Sequence, residues 1–193
     1  VDGEVYKTES YTYGSAITAA EAPVKEGYTF SGWSGVPSTM PAKDVTVSGS
    51  FAVNTYTVTY MVDGELYKTE SYTYGSAITA EESPVKEGHA FSGWSEVPET
   101  MPAKDITVSG SFTVNSYTIT YVVDGKVYKT EGIAYGSKVE AIVAPVKEGY
   151  TFSGWSGVPN TMPAKDVTVS GSFTVNSYTI TYVVDGETYK TEN

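Results

Sequence analysis

The chain repeats itself with a strict period of 61 residues. Three markers recur in register, namely the pentapeptides PVKEG and MPAKD and one tryptophan. They stand at 23–27, 84–88 and 145–149, at 40–44, 101–105 and 162–166, and at Trp33, Trp94 and Trp155. Because no insertion or deletion interrupts the period, we expect every copy to fold as the same small structural unit.

The period predicts a division of the chain into four segments. Repeat 1 spans 1–54 and lacks its first strand, repeat 2 spans 55–115, and repeat 3 spans 116–176. Residues 177–193 then read as the opening hairpin of a truncated fourth repeat. The chain opens on VDGEVYKTE and closes on VDGETYKTEN, so we expect it to be part of a longer array.

Composition favours strands and argues against several partners. Aromatic residues make up 13% of the chain, with 17 tyrosines, 19 glycines and 9 prolines, which is typical of a β-rich protein with frequent turns. The formal net charge of −11 argues against nucleic acid binding, which needs clustered Lys and Arg. Without cysteine the chain can form neither disulfides nor thiolate metal sites. No apolar run is long enough to span a membrane.

Repeat 2 shows the strand pattern most clearly. In YTVTYMV, residues 56–62, tyrosine and valine alternate with threonine and methionine, as in a half-buried strand. The following Asp63–Gly64 pair predicts a two-residue type I′ hairpin turn. Counting outwards from that turn predicts four cross-strand pairs. They are Tyr60 with Tyr67, Thr59 with Lys68, Val58 with Thr69, and Thr57 with Glu70.

A short helix is expected after the hairpin. In SKVEAIVAP, residues 137–145, Ser137 and Glu140 have the spacing of a capping box, and Pro145 would end the helix. A closing strand is expected over Val167–Val175. The order strand, strand, helix, strand, strand predicts a β-rich α+β fold, made of tandem small β-grasp (ubiquitin-like, ββαββ) repeats arranged as an elongated rod.

The tryptophans are expected to form the centres of the cores. Units of about 60 residues bury only about 60% of their unfolded surface, so large aromatic side chains matter most. Replacing Trp94 with alanine is expected to cost about 3–5 kcal/mol of stability.

The sequence resembles a known repeat family. VDGKVYKTEGIAYGSKV at 123–139, KEGYTFSGW at 147–155 and DVTVSGSF at 166–173 resemble the Listeria–Bacteroides repeat family, which includes the B-repeat of internalin-type surface proteins. The resemblance implies a β-grasp module found in tandem on secreted or wall-attached bacterial proteins. One feature departs from the family. Its members often end in an aromatic and Lys-rich YAKW strand, whereas this chain has VSGSF.

No catalytic, cofactor-binding or metal-binding residues are predicted. The single histidine, His89, stands where the other repeats have Tyr28 and Tyr150, so a catalytic role is not expected. The VDGE turns offer one aspartate each, whereas a calcium loop needs several alternating oxygen ligands. A self-formed bond between a lysine of MPAKD and an asparagine at 54, 115 or 176 would need both side chains and an assisting acidic side chain buried together. We expect neither this bond nor an enzyme activity.

Two functions remain open from the sequence. The first is a semi-rigid stalk or spacer, extracellular on the bacterial cell surface, in which neighbouring repeats joined by short VNT and VNS connectors present another domain. The second is an adhesin-type binding module for a host protein or a glycan, with aromatic side chains as the platform. Exposed aromatic patches shared by all repeats would favour binding.

The chain ends suggest one further partner. Tyr178–Val184 has the sequence of the first strand that repeat 1 lacks, and unpaired strand edges recruit other strands. We therefore expect head-to-tail strand exchange, in which Tyr178–Val184 of one molecule fills the first-strand position of repeat 1 in another.

Overall fold

The computed structural model describes residues 1–192, and every regular element within them is a β-strand. The strands are β1 (Tyr28–Phe30), β2 (Phe51–Val53), β3 (Thr55–Val62), β4 (Glu65–Thr73), β5 (His89–Phe91), β6 (Ile106–Gly110), β7 (Phe112–Val114), β8 (Ser116–Val123), β9 (Lys126–Ala134), β10 (Tyr150–Phe152), β11 (Val167–Gly171), β12 (Phe173–Val175), β13 (Ile180–Val184) and β14 (Glu187–Glu192). The prediction of an α+β fold made of β-grasp (ββαββ) repeats is therefore wrong, because these residues form small β-sheets without a helix. It follows that no helix among residues 1–192 could span a membrane.

The segment expected to form a short helix, 137–145, is an extended loop. The N–H of Val139 donates to the carbonyl of Asn160, at 3.1 Å, so a neighbouring loop satisfies the backbone here. Lys138 and Glu140 pair their side chains at 2.8 Å, which places alternate residues on one side, as in an extended chain. A segment this short forms no helix without help from packing, and here the packing favours the extended form.

The principal sheet of repeat 2 has three strands in the order β4-β3-β6. The middle strand, β3, pairs antiparallel with β4 and parallel with β6. Repeat 3 has the same arrangement, with β8 between β9 and β11. Each middle strand is therefore paired along both edges. In contrast, β13 and β14 form only a two-stranded hairpin.

The hairpin turn was predicted correctly, but the pairing beyond it was not. Asp63 and Gly64 both have positive φ, at 51° and 84°, as a type I′ turn requires. A β-bulge after Tyr60 leaves Tyr67 as an extra residue in β4, so Tyr60 lies opposite Lys68. The remaining pairs shift by one residue, with Val58 opposite Glu70, Thr59 opposite Thr69, and Thr57 opposite Ser71.

The closing strand expected over Val167–Val175 is two strands in two sheets. β11 runs parallel to β8 in the principal sheet, and β12 pairs with β10 in a separate two-stranded sheet. The break falls at Ser172, whose N–H donates to Ser153 Oγ at 3.0 Å and whose carbonyl accepts from the N–H of Ser153 at 2.9 Å. This paired contact holds the chain as it leaves the first sheet.

The cores form around the middle strands. In repeat 2 the fully buried side chains are Val58, Tyr60, Met101 and Val108. In repeat 3 the buried set is Ile119, Tyr121, Val139, Met162 and Val169. Trp94 is only half-buried at the edge of its cluster, with its ring 5.0 Å from that of Tyr60 and its indole N–H donating to the Glu81 carbonyl. The prediction that tryptophan is the centre of each core is therefore wrong.

The chain divides into two compact units. The first contains 1–84 and 92–111, and the second contains 85–91 together with the residues from 112 onward. The connection between repeats 1 and 2, at Asn54, lies wholly within the first unit. The connection between repeats 2 and 3, at Asn115, lies within the second.

Candidate functional site: the repeat junction

Repeat 1 meets repeat 2 through a tyrosine ring that lies against a glycine. Tyr74 follows β4, and a Cβ added at Gly27 would stand 2.2 Å from its ring carbons. Gly27 also has a φ of +75°, a conformation that side chains rarely adopt. The same ring meets Tyr28 edge-on, with centroids 5.9 Å apart. Only glycine at position 27 permits this close contact.

The connector residue Asn54 ties both sides of this junction together. Its N–H donates to the carbonyl of Gly27 at 2.8 Å, and its carbonyl accepts from the N–H of Tyr74 at 2.9 Å. Its side-chain Oδ1 accepts from Thr29 Oγ1 at 2.6 Å. Three hydrogen bonds from one residue therefore fix the connector to repeat 1 and to the end of β4.

The junction between repeats 2 and 3 has the same geometry. A Cβ at Gly88 would stand 2.2 Å from the ring of Tyr135, which meets His89 edge-on at 5.9 Å. The N–H of Asn115 donates to Gly88 at 2.8 Å, and its carbonyl accepts from Tyr135 at 2.9 Å. The ring of His89 thus replaces the Tyr28 ring, and its Nδ1 lies 2.8 Å from the Glu87 carbonyl.

A continuous series of ring contacts leads through repeat 1 to the junction. Successive centroids are 5.0 to 6.3 Å apart. The rings follow one another in the order Tyr6, Trp33, Phe30, Phe51, Tyr28 and Tyr74. The ammonium group of Lys25 lies 4.0 Å from the centroid of Tyr28. Each aromatic pair contributes about 0.5–1.5 kcal/mol of stability beyond that of its buried area. The series therefore links the junction to the rest of repeat 1 by stabilising contacts.

The hairpin of repeat 2 carries a charged cluster on its surface. Lys68 Nζ lies 2.8 Å from Glu70 and 2.5 Å from Glu81, and Tyr72 donates its hydroxyl to Glu70 at 2.8 Å. The hydrogen bond between Lys68 and Glu70 raises the pKa of the lysine. The hydrogen bond between Tyr72 and Glu70 raises the pKa of the tyrosine to about 12. The hydrogen bonds from Lys68 and Tyr72 lower the pKa of Glu70. The cluster keeps its charges paired, which stabilises the hairpin.

The aspartates of the hairpin turns bind backbone groups. Asp2 Oδ1 accepts from the N–H of Phe51, and Asp124 Oδ1 accepts from the N–H of Phe173, both at 3.0 Å. Each turn carboxylate thus connects its turn to the two-stranded sheet of the same repeat, β1–β2 for Asp2 and β10–β12 for Asp124. Within residues 1–192, no group of three or more His, Cys, Asp or Glu side chains could hold a metal ion.

The lysines and asparagines considered for a covalent bond are not buried together. The lysines of the MPAKD loops are exposed, at Lys43, Lys104 and Lys165. The side chains of Asn54 and Asn176 accept hydrogen bonds from Thr29 and Thr151, both at 2.6 Å. These asparagines therefore serve the repeat connections.

The aspartate of the MPAKD loop has a role that sequence reasoning missed. Asp105 Oδ1 accepts from the N–H of Thr57 at 2.8 Å, and Asp166 Oδ1 accepts from the N–H of Thr118 at 2.7 Å. Each bond fixes the start of a middle strand immediately after a repeat connection. The recurrence of this aspartate at the 61-residue period was the only signal in the sequence.

Comparison with known proteins gives relatives that share part of this chain. It is 38% identical over 143 residues to Internalin H of Listeria monocytogenes serovar 1/2a, which covers 63% of this chain and 25% of that protein. It is 29% identical over 218 residues to a protein of Evansella cellulosilytica whose assigned name describes a Gly-rich membrane protein, covering 95% of this chain and 25% of that protein. The chain thus spans about a quarter of the length of these relatives.

A solved structure and a family model also match. The structure is that of Streptococcal High Identity Repeats in Tandem (SHIRT) domains 3-4 from a cell surface protein, at 16% identity and a TM-score of 0.29, covering 63% of this chain and 98% of that chain. This likeness is too weak to define the fold. The family model of the Listeria-Bacteroides repeat domain matches residues 1–48, 56–114 and 117–175. The chain therefore belongs to the Listeria-Bacteroides repeat domain family and carries three tandem matches to it.

Proposed function

We propose that the chain is a spacer segment of a bacterial cell-surface protein, in which each repeat holds the next at a fixed angle and so presents another domain. The repeated junction is the observation that carries this proposal. The same tyrosine–glycine contact and the same asparagine connector occur at Tyr74 and at Tyr135. Since neighbouring contacts dominate the mechanics of repeat proteins, a well-fixed junction makes the array stiff. The proposal assigns no catalytic step to the repeats.

The location at the cell surface is supported by the relatives. One is named an internalin, and another is described as a membrane protein. The family itself is a tandem repeat domain. The acidic charge of −11 is compatible with exposure to solvent on a crowded surface, because like-charged segments repel one another.

The stiffness of the junction can be tested with two spin labels. The chain has no cysteine, so labels can be attached at Lys43→Cys and Lys104→Cys, two exposed positions within the first compact unit. We expect a single narrow distance distribution between the labels in the parent protein. Gly27→Ala should broaden it, because the new methyl group cannot share space with the Tyr74 ring.

A matched control separates this clash from backbone strain. Gly14, which lies in repeat 1 as Gly27 does, has a similar φ of +77°, but a Cβ there would meet no heavy atom within 4 Å. Gly14→Ala should therefore leave the distance distribution unchanged. A broad distribution in the parent protein would show that the junction is flexible and would contradict the spacer function.

A binding function remains the second candidate, because each repeat exposes one tyrosine beside its tryptophan. Tyr6, Tyr67 and Tyr128 are each roughly half exposed. Their centroids lie 5.8, 5.8 and 6.1 Å from those of Trp33, Trp94 and Trp155. Tyrosine is enriched in binding hot spots, and here each exposed tyrosine ring packs on a tryptophan ring.

A screen against glycans and host proteins tests this alternative. The parent protein is compared with a variant in which Tyr6, Tyr67 and Tyr128 are all replaced by serine. A ligand bound by the parent and lost by the variant would support an adhesin-type function. Binding that is equal in both proteins would exclude these tyrosines as the contact surface.

A further inference from the structure

The principal sheet of repeat 2 has one open edge. Its strand order is β4-β3-β6, so β4 forms one edge and β6 forms the other. The β6 edge is covered at Ser109, whose carbonyl accepts from the N–H of Ser95 at 2.7 Å and whose N–H donates to Ser95 Oγ at 2.9 Å. Within residues 1–192, no strand pairs with the outer edge of β4. The β4 edge is therefore available to a further strand.

The backbone groups of Ser71 and Thr69 point out of this edge. Ser71 lies opposite Thr57, whose N–H donates to Asp105 on the β6 side of the sheet and is therefore turned away from β4. Facing residues of antiparallel strands turn their backbone groups towards or away from one another together, so those of Ser71 also point outwards. The direction alternates along a strand, so the same holds for Thr69, two residues earlier. Both residues are exposed.

The residues on either side of Thr69 carry opposite charges. Lys68 and Glu70 lie on the same face of the sheet, with Lys68 Nζ 2.8 Å from the Glu70 carboxylate. The tripeptide Lys-Thr-Glu recurs with the 61-residue period, at 7–9, 68–70, 129–131 and 190–192. An antiparallel strand of the same sequence, centred on Thr69, would place a glutamate opposite Lys68 and a lysine opposite Glu70. The edge is therefore complementary to itself.

We propose that the β4 edge binds the β4 edge of a second copy of this chain, with the two strands antiparallel and centred on Thr69. The two Thr69 residues then exchange a pair of backbone N–H to carbonyl hydrogen bonds. Lys68 of each copy faces Glu70 of the other at a non-hydrogen-bonded position, where facing Cα atoms are about 4.5 Å apart. Four charges, two from each copy, alternate in sign around the two-fold axis. Opposite charges directly across a strand pair stabilise it.

The charges select this register among its neighbours. A register centred on Lys68 places the two lysines opposite one another, and a register centred on Glu70 does the same with the two glutamates. Like charges directly opposite one another are destabilising. A register centred on Ser71 places Lys68 opposite Tyr74, so the lysine gains no carboxylate from the second copy. Of these four registers, only the one centred on Thr69 pairs every charge.

Repeat 3 has the same edge in its own principal sheet. β9 is an edge strand there, and it shares with β4 only the residues YKTE, at 128–131 and 67–70. Thr118, opposite Gly132, donates its N–H to Asp166, so the backbone groups of Thr130 also point outwards. The self-complementary tripeptide is thus kept where the rest of the strand differs. Each such contact is isologous, and a chain with several of these edges can join more than one copy.

Light scattering over a series of protein concentrations tests the proposal. The measurement is made at physiological ionic strength, where repulsion between chains of net charge −11 is screened beyond about 8 Å but charges in contact still interact. We expect the weight-average mass of the parent chain to rise from 20.7 kDa to at least double that value as the concentration approaches about 1 mM. A chain that stays monomeric over the whole series would overturn the proposal.

Two charge-reversed variants test the complementarity of the edge. One replaces the lysine of every Lys-Thr-Glu tripeptide with glutamate, and the other replaces the glutamate of every such tripeptide with lysine. The positions are Lys7, Lys68, Lys129 and Lys190 in the first variant, and Glu9, Glu70, Glu131 and Glu192 in the second. Each variant alone places like charges opposite one another and should stay monomeric. An equimolar mixture restores every opposite pair and should associate like the parent, although both variants keep a negative net charge.

Either of two results with these variants would contradict the proposal. The first is a lysine-to-glutamate variant that associates by itself as strongly as the parent does. The second is a mixture that stays monomeric at concentrations where the parent associates.

Disulfide cross-linking tests the register while every charge stays in place. The chain has no cysteine, so Thr69→Cys introduces the only thiol. Facing Cα atoms of a hydrogen-bonded antiparallel pair are about 5.5 Å apart, within the reach of a disulfide, so we expect linked dimers on mild oxidation. Ser71→Cys is the matched control on the same exposed edge. Its two copies would stand four residues apart along the strand, about 13 Å, and should not link.

Equal yields of linked dimer from Thr69→Cys and Ser71→Cys would overturn the pairing centred on Thr69. All of these measurements report contacts between copies of the chain. Their outcome is therefore independent of the stiffness of the junction within one chain, on which the spacer function rests.

Discussion

Individual glycines determine how closely the aromatic rings of this protein can pack. A Cβ at Gly49 would stand 2.3 Å from the ring of Phe30, and one at Gly171 would stand 2.2 Å from the ring of Phe152. Both glycines belong to the VSGSF segment. A residue with a side chain at either position would displace the phenylalanine ring.

Replacement of Trp94 tests its position at the edge of the core. Trp94→Ala removes the contact with Tyr60 and the hydrogen bond to the Glu81 carbonyl. Since the side chain is only half-buried, we expect a loss of about 3 kcal/mol, at the lower end of the range for large aromatic residues. Urea unfolding followed by circular dichroism measures it.

The counterpart in repeat 1 provides the control for this variant. Trp33 lines a cavity of about 460 Å³ in repeat 1, so its removal takes away fewer packing contacts. Trp33→Ala should therefore lower stability less than Trp94→Ala does. Equal urea midpoints for the parent and Trp94→Ala would show that this tryptophan does not support the core.

The charged cluster at Glu70 predicts how stability depends on acid. Hydrogen bonds from Lys68 and Tyr72 hold the pKa of Glu70 below its ordinary value of 4.5. A carboxyl group with a lowered pKa stabilises the fold above its unfolded pKa, and this stabilisation is lost as the pH falls through the folded pKa. Between about pH 7 and about pH 3, the parent should therefore lose about 0.5 kcal/mol more than Glu70→Gln does.

Repeat 3 offers a matched pair for the acid measurement. Glu131 has a lysine partner in Lys129, but Ile133 stands where repeat 2 has Tyr72. Glu131→Gln should therefore alter the acid dependence less than Glu70→Gln does. Identical acid dependence of urea unfolding in the parent and in Glu70→Gln would refute the role of Glu70.

Among the elements, the middle strand of repeat 2 is held near its start by a loop aspartate. Asp105 Oδ1 accepts from the N–H of Thr57 near the start of β3. Asp105→Ala should cost about 1.5 kcal/mol, as expected for a hydrogen bond to a charged group. Asp44, the counterpart in repeat 1, precedes Val45, which lines a cavity of about 460 Å³, and Asp44→Ala should change stability little. Chemical denaturation of both variants checks this difference, and equal losses would contradict it.

The 61-residue period and the hairpin turn could be predicted from the sequence, but the register between the paired strands could not. Asp63 and Gly64 specify their turn locally, through positive φ at both residues. The same bulge recurs in β8–β9 and in the two-stranded β13–β14 hairpin, so it belongs to the hairpin itself, and alternation within one strand carries no sign of it. The register derived by counting from the turn therefore failed by one residue.

The absent helix has a similar explanation. Ser137 and Glu140 have capping-box spacing, but a local signal of this kind decides little in a short segment. Val139 is buried against the core instead, and its N–H pairs with Asn160. The junction was missed for the same reason, since Tyr74 and Gly27 are distant in sequence and meet only through the fold.

At the scale of the whole molecule, the same junction recurs wherever two repeats meet. Tyr74 over Gly27 and Tyr135 over Gly88 have the same Cβ clearance of 2.2 Å, although His89 replaces the neighbouring tyrosine in the second case. The geometry thus depends on the glycine, the tyrosine ring and the connector asparagine. Each junction therefore uses the same three groups, although the repeats on either side differ in several residues.

Residual dipolar couplings test most directly whether a repeat is held rigidly by its neighbour. Backbone amides of β1 and β2 report on repeat 1, and those of β3 and β4 report on repeat 2, all within the first compact unit. Our account predicts that one alignment tensor fits both sets of couplings. Two tensors of different magnitude would show that the repeats move independently, and the spacer function would then lose its physical basis.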